Sequence, residues 1–287
     1  ISRRPKLTDL PTAVSFNDIY VSVSELNLAI YTPSDFILPS KLEKYATVKA
    51  DGSLSNLSRS GRERGIRQLM SINLLKRLES SVNSFRLTLN RIKDFIEATI
   101  NSIDSFDGSH ADITDFDFGS GLDFDEREDS VFIGGKKTKI DLADMDYIQW
   151  CSYLAKDLEN LNTLLFMLED ITSEHDSKLQ MLIEEIRSKF EHPINDSNKK
   201  TIIFTAFSDT AQYLYENIAP LIKERTGLNS ALITGDVEAR STLKLREKLD
   251  FNKVLTLFSP ISKEKEAIYP NINEEIDVLF ATDCISE

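Results

Sequence analysis

Three short apolar runs near the end of the chain, Thr201 to Phe207, Leu228 to Thr234 and Ile276 to Thr282, constrain the fold most, because each closes on a small polar turn. Helical stretches separate them. Ser208 or Asp209 offers an N-cap for a helix from Thr210 to about Arg225, and Gly227 ends it. A second helix is expected from Asp236 to about Asp250. Buried strands alternating with helices of this length predict parallel crossover units with both sheet faces covered. The fold class expected is α/β with a large helical part.

That helical part lies upstream. Leu75, Leu78, Val82, Phe85, Leu89, Ile92 and Ile96 recur at alternating spacings of a coiled-coil seam. Leu154, Leu158, Leu161, Leu165 and Leu168 repeat the pattern, and Leu179, Leu182, Ile186 and Phe190 continue a helical face. Two amphipathic helices, each needing cover for its stripe, predict an antiparallel helical hairpin over residues 66–192. Residues 1–65, with four prolines and the polar run Asp51–Gly65, read as a mixed connecting segment, and 193–287 as the α/β portion.

The hairpin's connection, about 104–130, is rich in Asp, Ser and Gly and reads as an exposed acidic loop. It holds ten acids against Arg127 and accounts for most of the formal charge of -13. From Arg59 to Lys93 the balance reverses, with nine basic residues against Glu63 and Glu79. Charge of both signs in separate blocks keeps a phosphate-rich partner open despite the acidic total. An EF-hand register starting at Asp115 fails, since Gly119 stands where a ligand belongs and Ser120 where the turn needs Gly.

Other chemistry finds little footing. His110, His175 and His192 have no partner at metal-ligand spacing, so no metal is expected, and no Ser-His-Asp or Cys-His arrangement can be drawn. Cys151 and Cys284 are too few and too far apart for a disulfide framework. With no apolar run approaching about 18 residues and no signal-peptide pattern, a soluble cytoplasmic protein without a membrane partner is expected. FIGGKKTKI, Phe132 to Ile140, lacks the first Gly of a P-loop, and DEREDS at Asp125 has no apolar strand before it to make a Walker B element. Lys76, Arg77 and Glu79 read as ordinary surface groups, and Trp150, Tyr153 and Phe166 as core.

Parallel sheets bind ligands at the carboxyl ends of their strands. Thr205, Thr234 with Gly235, and Thr282 with Asp283 stand at three such ends; a turn and a phosphate-backbone contact both need small residues there.

The strings KKTIIFTAFSDTAQYLYENI, SALITGDVEAR and EEIDVLFATDCISE resemble motifs IV, IVa and V in the second RecA-like lobe of superfamily 2 ATP-dependent helicases, in particular bacterial Swi/Snf-like DNA translocases. RQLMSINLLKRLESSVNSFRLTLNRI, Arg67 to Ile92, resembles a helical insertion of that group. The resemblance implies an incomplete RecA-like parallel sheet in which Thr205, Thr234, Gly235 and Thr282 contact the tracking strand. It also implies that Arg240 braces the motif IVa helix, the one expected after Thr234, and that Asp283, Ser286 and Glu287 couple nucleic acid to ATP. Arg59, Arg62, Arg64 and Arg67 would reach backbone phosphates, or else solvate their loop and helix.

On this reading the chain, opening at Ile1 and stopping at Glu287 inside the third motif, is part of a helicase or translocase acting on nucleic acid, with double-stranded DNA the preferred track. ATP and Mg2+ belong to the intact parent, whose first RecA-like lobe would be the chain's partner. No catalytic residue is expected in this chain, and none of those cofactors is expected bound to it. The competing expectation is a non-catalytic interaction module whose helical hairpin recruits a protein. An unrelated nucleotide-binding α/β domain has no Gly-rich fingerprint to support it.

Overall fold

The computed structural model describes residues 7–8, 10, 14–45, 47–48, 54–55, 57–106, 112–113, 140–193, 195, 198–235, 237–245 and 248–283. Its contacts divide the chain into two compact units: Val14–Lys76 with Phe85–Glu169, and Ile1–Ala13 with Arg77–Ser84 and Asp170–Glu287. Most of the acidic connection, the EF-hand register and the FIGGKKTKI and DEREDS strings fall outside the described residues.

The first unit is mainly helical. Helix α1, Phe16–Ser24, opens with a capping box in which Ser15 Oγ accepts from the Asp18 amide while Asp18 accepts from the Ser15 amide. Three 3-10 turns follow, Ala29–Tyr31, Pro33–Phe36 and Pro39–Tyr45. Two small antiparallel ladders pair β1, Thr47–Val48, with β2, Leu54–Ser55, and β3, Asp112–Ile113, with β4, Ile140–Asp141.

Helices α2, Leu57–Ser80, and α3, Val82–Asp104, carry the first seam, and Leu78, Val82, Phe85, Leu89, Ile92 and Ile96 are all buried. The seam is not one continuous helix. Ser81 interrupts it, its hydroxyl accepting from the Ser84 amide at 2.9 Å as the N-cap of α3. A hydroxyl that competes for backbone donors starts a new helix where apolar spacing alone would run straight through.

Helix α4, Tyr147–Met167, is capped by Asp146 and buries Trp150, Leu154, Asp157, Leu161 and Leu164. Trp150 meets the expectation of a core residue, its indole N–H donating to the Ala29 carbonyl at 3.0 Å. Tyr153 is partly exposed and meets Phe36 edge to face. Phe166 departs from the expectation: it is 76% exposed, because the buried face of α4 runs through 150, 154, 157, 161 and 164 and leaves 166 outside.

The second unit is α/β. Helix α5, Ser177–Glu191, is capped by Asp176, which accepts from the Lys178 and Leu179 amides. The face begun by Leu179 and Ile186 packs into a core with Ile203, Ala211, Tyr215, Ile218, Leu232, Val278 and Phe280. Four strands form the sheet: β5, Thr201–Phe204; β6, Ser230–Ile233; β7, Arg240–Ser241; and β8, Val278–Ala281. Their order is β5-β8-β6-β7, with β5, β8 and β6 parallel and β7 antiparallel.

Helix α6, Ser208–Thr226, makes the crossover from β5 to β6 and ends at Gly227, whose φ of 72° is the left-handed conformation that favours glycine. On the opposite face, α7, Phe251–Phe258, packs Val254, Leu257 and Phe258 against Ala231, Ile233, Leu279 and Ala281. A short α8, Lys265–Ile268, precedes β8.

Two expectations are corrected here. No helix occupies the described part of 236–250; Arg240 and Ser241 pair with β6 instead, and α7 begins only after Asp250. The cause is a set of hydroxyl bonds: Ser230 donates its amide to Thr242 Oγ1 at 2.9 Å, and Ser241 Oγ donates to the Ser230 carbonyl at 3.0 Å. These hold 240–242 extended along β6. Second, β5 is not a buried strand. It lies at the edge, where Ile203 is buried but Ile202 and Phe204 are 44% and 57% exposed, because the α7 cluster draws its sheet residues from β6 and β8.

Candidate nucleic-acid interface

Register decides what comes together at the carboxyl edge. Phe204 pairs with Ala281, and Ala281 with Ile233, so the three parallel strands end level. The next residue of each is a threonine, giving the row Thr205, Thr282, Thr234 across β5, β8 and β6. The ladder extends through them: the Thr205 amide donates to Ala281 O at 2.9 Å and the Thr282 amide to Ile233 O at 3.3 Å.

The three hydroxyls sit differently. Thr205 is half-buried and donates from Oγ1 to Phe207 O at 2.9 Å, tightening the turn into α6. Thr234 is buried; its Oγ1 accepts from Ser208 Oγ at 3.1 Å and from the Val237 amide at 3.2 Å. Thr282 is also buried. Gly235 and Asp283 are exposed beside them, and open space surrounds the position of a Cβ at Gly235. The edge therefore offers solvent a half-buried hydroxyl, an exposed glycine backbone and one carboxylate. Beside Thr234 lies a hollow of about 210 Å³ lined by Val237, Leu249 and Phe251 and by the pair Lys248–Glu238 at 2.7 Å. The hydrogen bond from Lys248 holds the Glu238 carboxyl below its ordinary range.

Arg240 stands on β7, where its guanidinium donates to Glu216 of α6 at 2.8 Å and lies 5.4 Å from the centre of the Tyr215 ring. Burial raises the Tyr215 phenol, and Arg240 opposes that shift. The resemblance has Arg240 brace the motif IVa helix, but no helix occupies the described part of 236–250, and Arg240 instead contacts the helix that joins β5 to β6. Ser286, Glu287 and the side chain of Arg59 lie outside the described residues.

Arg62, Arg64 and Arg67 of α2 belong to the helical unit. Arg62 and Arg67 are exposed, while Arg64 pairs with Asp35 at 3.1 Å. Glu63, beside them in sequence, is buried, and its carboxylate accepts from the Ser34 amide and hydroxyl at 2.9 and 2.6 Å.

The residue that sequence reasoning missed is Arg77. Expected at the surface, it is fully buried, and its Nη1 donates to Asp209 Oδ2 at 2.9 Å and to Ser84 Oγ at 3.1 Å. Its guanidinium lies 4.6 Å from the centre of the Phe207 ring. Ser80 and Ser81 each share a hydrogen bond with Thr210, at 2.8 and 3.3 Å. The first turn of α6, which follows Thr205 directly, is therefore clamped by the α2–α3 break. A signal existed: Arg77, Ser81, Ser84 and Thr88 keep helical spacing beside the apolar seam, and all four are buried.

Among the described residues no group of three His, Cys, Asp or Glu is placed to hold a metal ion, and no helix is long and apolar enough to cross a membrane. His175 is half-buried and His192 exposed, while His110 falls outside the described residues. The chain matches no protein-family model, and no curated protein and no solved structure matches it.

Proposed function

We propose that residues 201–283 form part of the second RecA-like lobe of an ATP-dependent nucleic-acid translocase, and that the carboxyl edge of the sheet holds the tracking strand. The observation that carries the reading is the level ending of β5, β8 and β6 at Thr205, Thr282 and Thr234. Backbone amides at such an edge suit phosphate oxygens, which bring affinity without sequence readout. The exposed backbone at Gly235 makes the approach, while Thr205, whose hydroxyl donates to Phe207 O, and the buried Thr234 and Thr282 stand at the strand ends beside it. Double-stranded DNA is the preferred track, on the Swi/Snf-like resemblance.

Among the described residues no group of three or more His, Cys, Asp or Glu is placed to hold Mg2+. The one glycine-lysine string lacks the P-loop spacing, so nucleotide binding and hydrolysis fall to other parts of the parent. This chain contributes track contacts and, through the Arg77–Asp209 clamp, a fixed attachment of the α2–α3 break to the start of α6.

One feature favours a second reading as a protein-interaction module. Ile148 and Phe166, 71% and 76% exposed, lie five helical turns apart on the same side of α4. The two readings separate in the ATPase rate of the full-length gene product, measured alone and with duplex DNA, single-stranded DNA and RNA. Stimulation by duplex, weakened in Thr282→Ala, upholds the translocase; stimulation by single strands or RNA keeps the motor and changes its track. No hydrolysis under any condition favours the interaction module.

A further inference from the structure

A groove of about 680 Å³ runs along α2 in the helical unit, between Gly61, Arg64, Gly65, Gln68 and Ser71 on one side and Leu26 and Asn27 on the other, with Arg67 on its wall. The helix contribution spans about 15 Å, from the rise per residue of an α-helix. Every charged side chain in that lining is an arginine. Two acids adjoin the lining in sequence: Glu25, exposed beside Leu26, and Glu63, engaged with Ser34; Asp35 fixes Arg64 through a bond that leaves the rest of its guanidinium free to donate. Arg67 and Gln68 are exposed and bond to no side chain among the described residues.

The opposite wall is rigid. The Asn27 and Ala29 amides donate to the two oxygens of buried Asp157 at 2.7 and 2.8 Å, and the Trp150 indole donates to Ala29 O. Between them Leu28 is held at a φ of 50°, a left-handed conformation that a branched side chain adopts only when its surroundings impose it. Gly61 meets nothing within 4 Å of its Cβ position, so a ligand can approach the helix closely at that point. Two guanidiniums and the Gln68 amide along the α2 side, facing the rigid Leu26–Asn27 side, form a set of donors that suits an oxyanion.

We propose that this groove binds a phosphate group, with Arg67 as its principal charge, Arg64 held in place by Asp35, and Gln68 as a neutral donor; the Ser71 hydroxyl donates instead to the Arg67 carbonyl. The phosphate belongs either to a small phosphorylated molecule or to a nucleic-acid backbone. The proposal stands on the groove's own donors and does not need the motor reading: pyrophosphate bound here by a chain whose full-length parent never hydrolyses ATP would uphold the one and overturn the other.

The test titrates the 287-residue chain with pyrophosphate by calorimetry and with a short duplex by fluorescence anisotropy, in wild type, Arg67→Glu and Lys263→Glu. Lys263 is an exposed cation of the α/β unit and serves as the control for net charge. The expected result is binding that Arg67→Glu weakens about tenfold or more and Lys263→Glu leaves within about twofold. Loss of pyrophosphate binding identifies a small phosphorylated ligand, and loss of duplex binding alone identifies a backbone; either supports the site. Absence of binding by both probes, or equal loss in both variants, overturns it.

Discussion

The guanidinium of Arg77 and the carboxylate of Asp209 meet at 2.9 Å, Arg77 with no exposed surface at all, and so tie the last turn of α2 to the first turn of α6. Desolvating two charges is costly and is recovered only when both partners are present. Arg77→Met removes the guanidinium that Asp209 accepts from and is expected to cost about 3–5 kcal/mol in urea unfolding. The double variant Arg77→Met/Asp209→Leu is expected to cost much less than the two single losses combined. Additive losses would mean that the two groups do not act as a pair.

Asp157 stabilises the helical unit from within α4. Burial raises its carboxyl above the ordinary value, opposed by the backbone N–H groups of Ala29, Asn27 and Leu28. The sign follows: between the unfolded and the raised folded value the folded chain holds the proton more tightly, so this group's contribution falls as pH rises through that window. Asp157→Asn exchanges one acceptor for a donor facing an N–H, with an expected cost of about 2–3 kcal/mol at neutral pH. Hydrogen exchange at Asn27 and Ala29 should quicken before the rest of the unit; exchange unchanged at both would contradict this role.

Asp144 behaves in the opposite sense. Hydrogen bonds from Lys44 and then Tyr45, with Lys41 at 3.2 Å, hold its carboxyl well below the usual range. Its stabilisation is complete above the unfolded value and is lost as pH falls through the folded one. The stability gap between wild type and Asp144→Asn should therefore shrink on acidification below about pH 4. A gap that stays constant as the pH is lowered would remove the pair from the account.

Local signals were legible where structure is set locally. The end of α6 follows from Gly227, whereas its start does not follow from the expected cap, since Phe207 is the N-cap and Ser208 and Asp209 lie inside the first turn; β6 and β8 follow from apolar runs that sit wholly inside the sheet. What failed depends on partners distant in sequence. Arg240–Ser241 is extended because Thr242 and Ser241 bond to Ser230, and helical propensity after Gly235 carries no trace of that. The α5 stripe gave its period but not which core would cover it. Edge position exposes β5 although TIIF reads as buried. Arg77 was hidden by its own charge, since a lone arginine is usually at the surface, while its acceptor Asp209 lies 132 residues away.

The site was legible in part. Thr205, Thr234 and Thr282 could each be named from a strand end, but their level alignment needs the order β5-β8-β6, which places the last strand between the first two. The burial of Thr234 and Thr282 was not legible, because it comes from α6 starting over them, with Ser208 donating to Thr234.

Amide hydrogen exchange of this chain, free and with a short DNA duplex, locates the track on the sheet. Slowed exchange is expected at Thr205, Gly235, Thr282 and Asp283, together at the carboxyl edge, with Asn229 and Asp277 at the opposite edge unchanged. Slowing confined to Asn229 and Asp277, or no slowing on the sheet when duplex is bound, would contradict that placement.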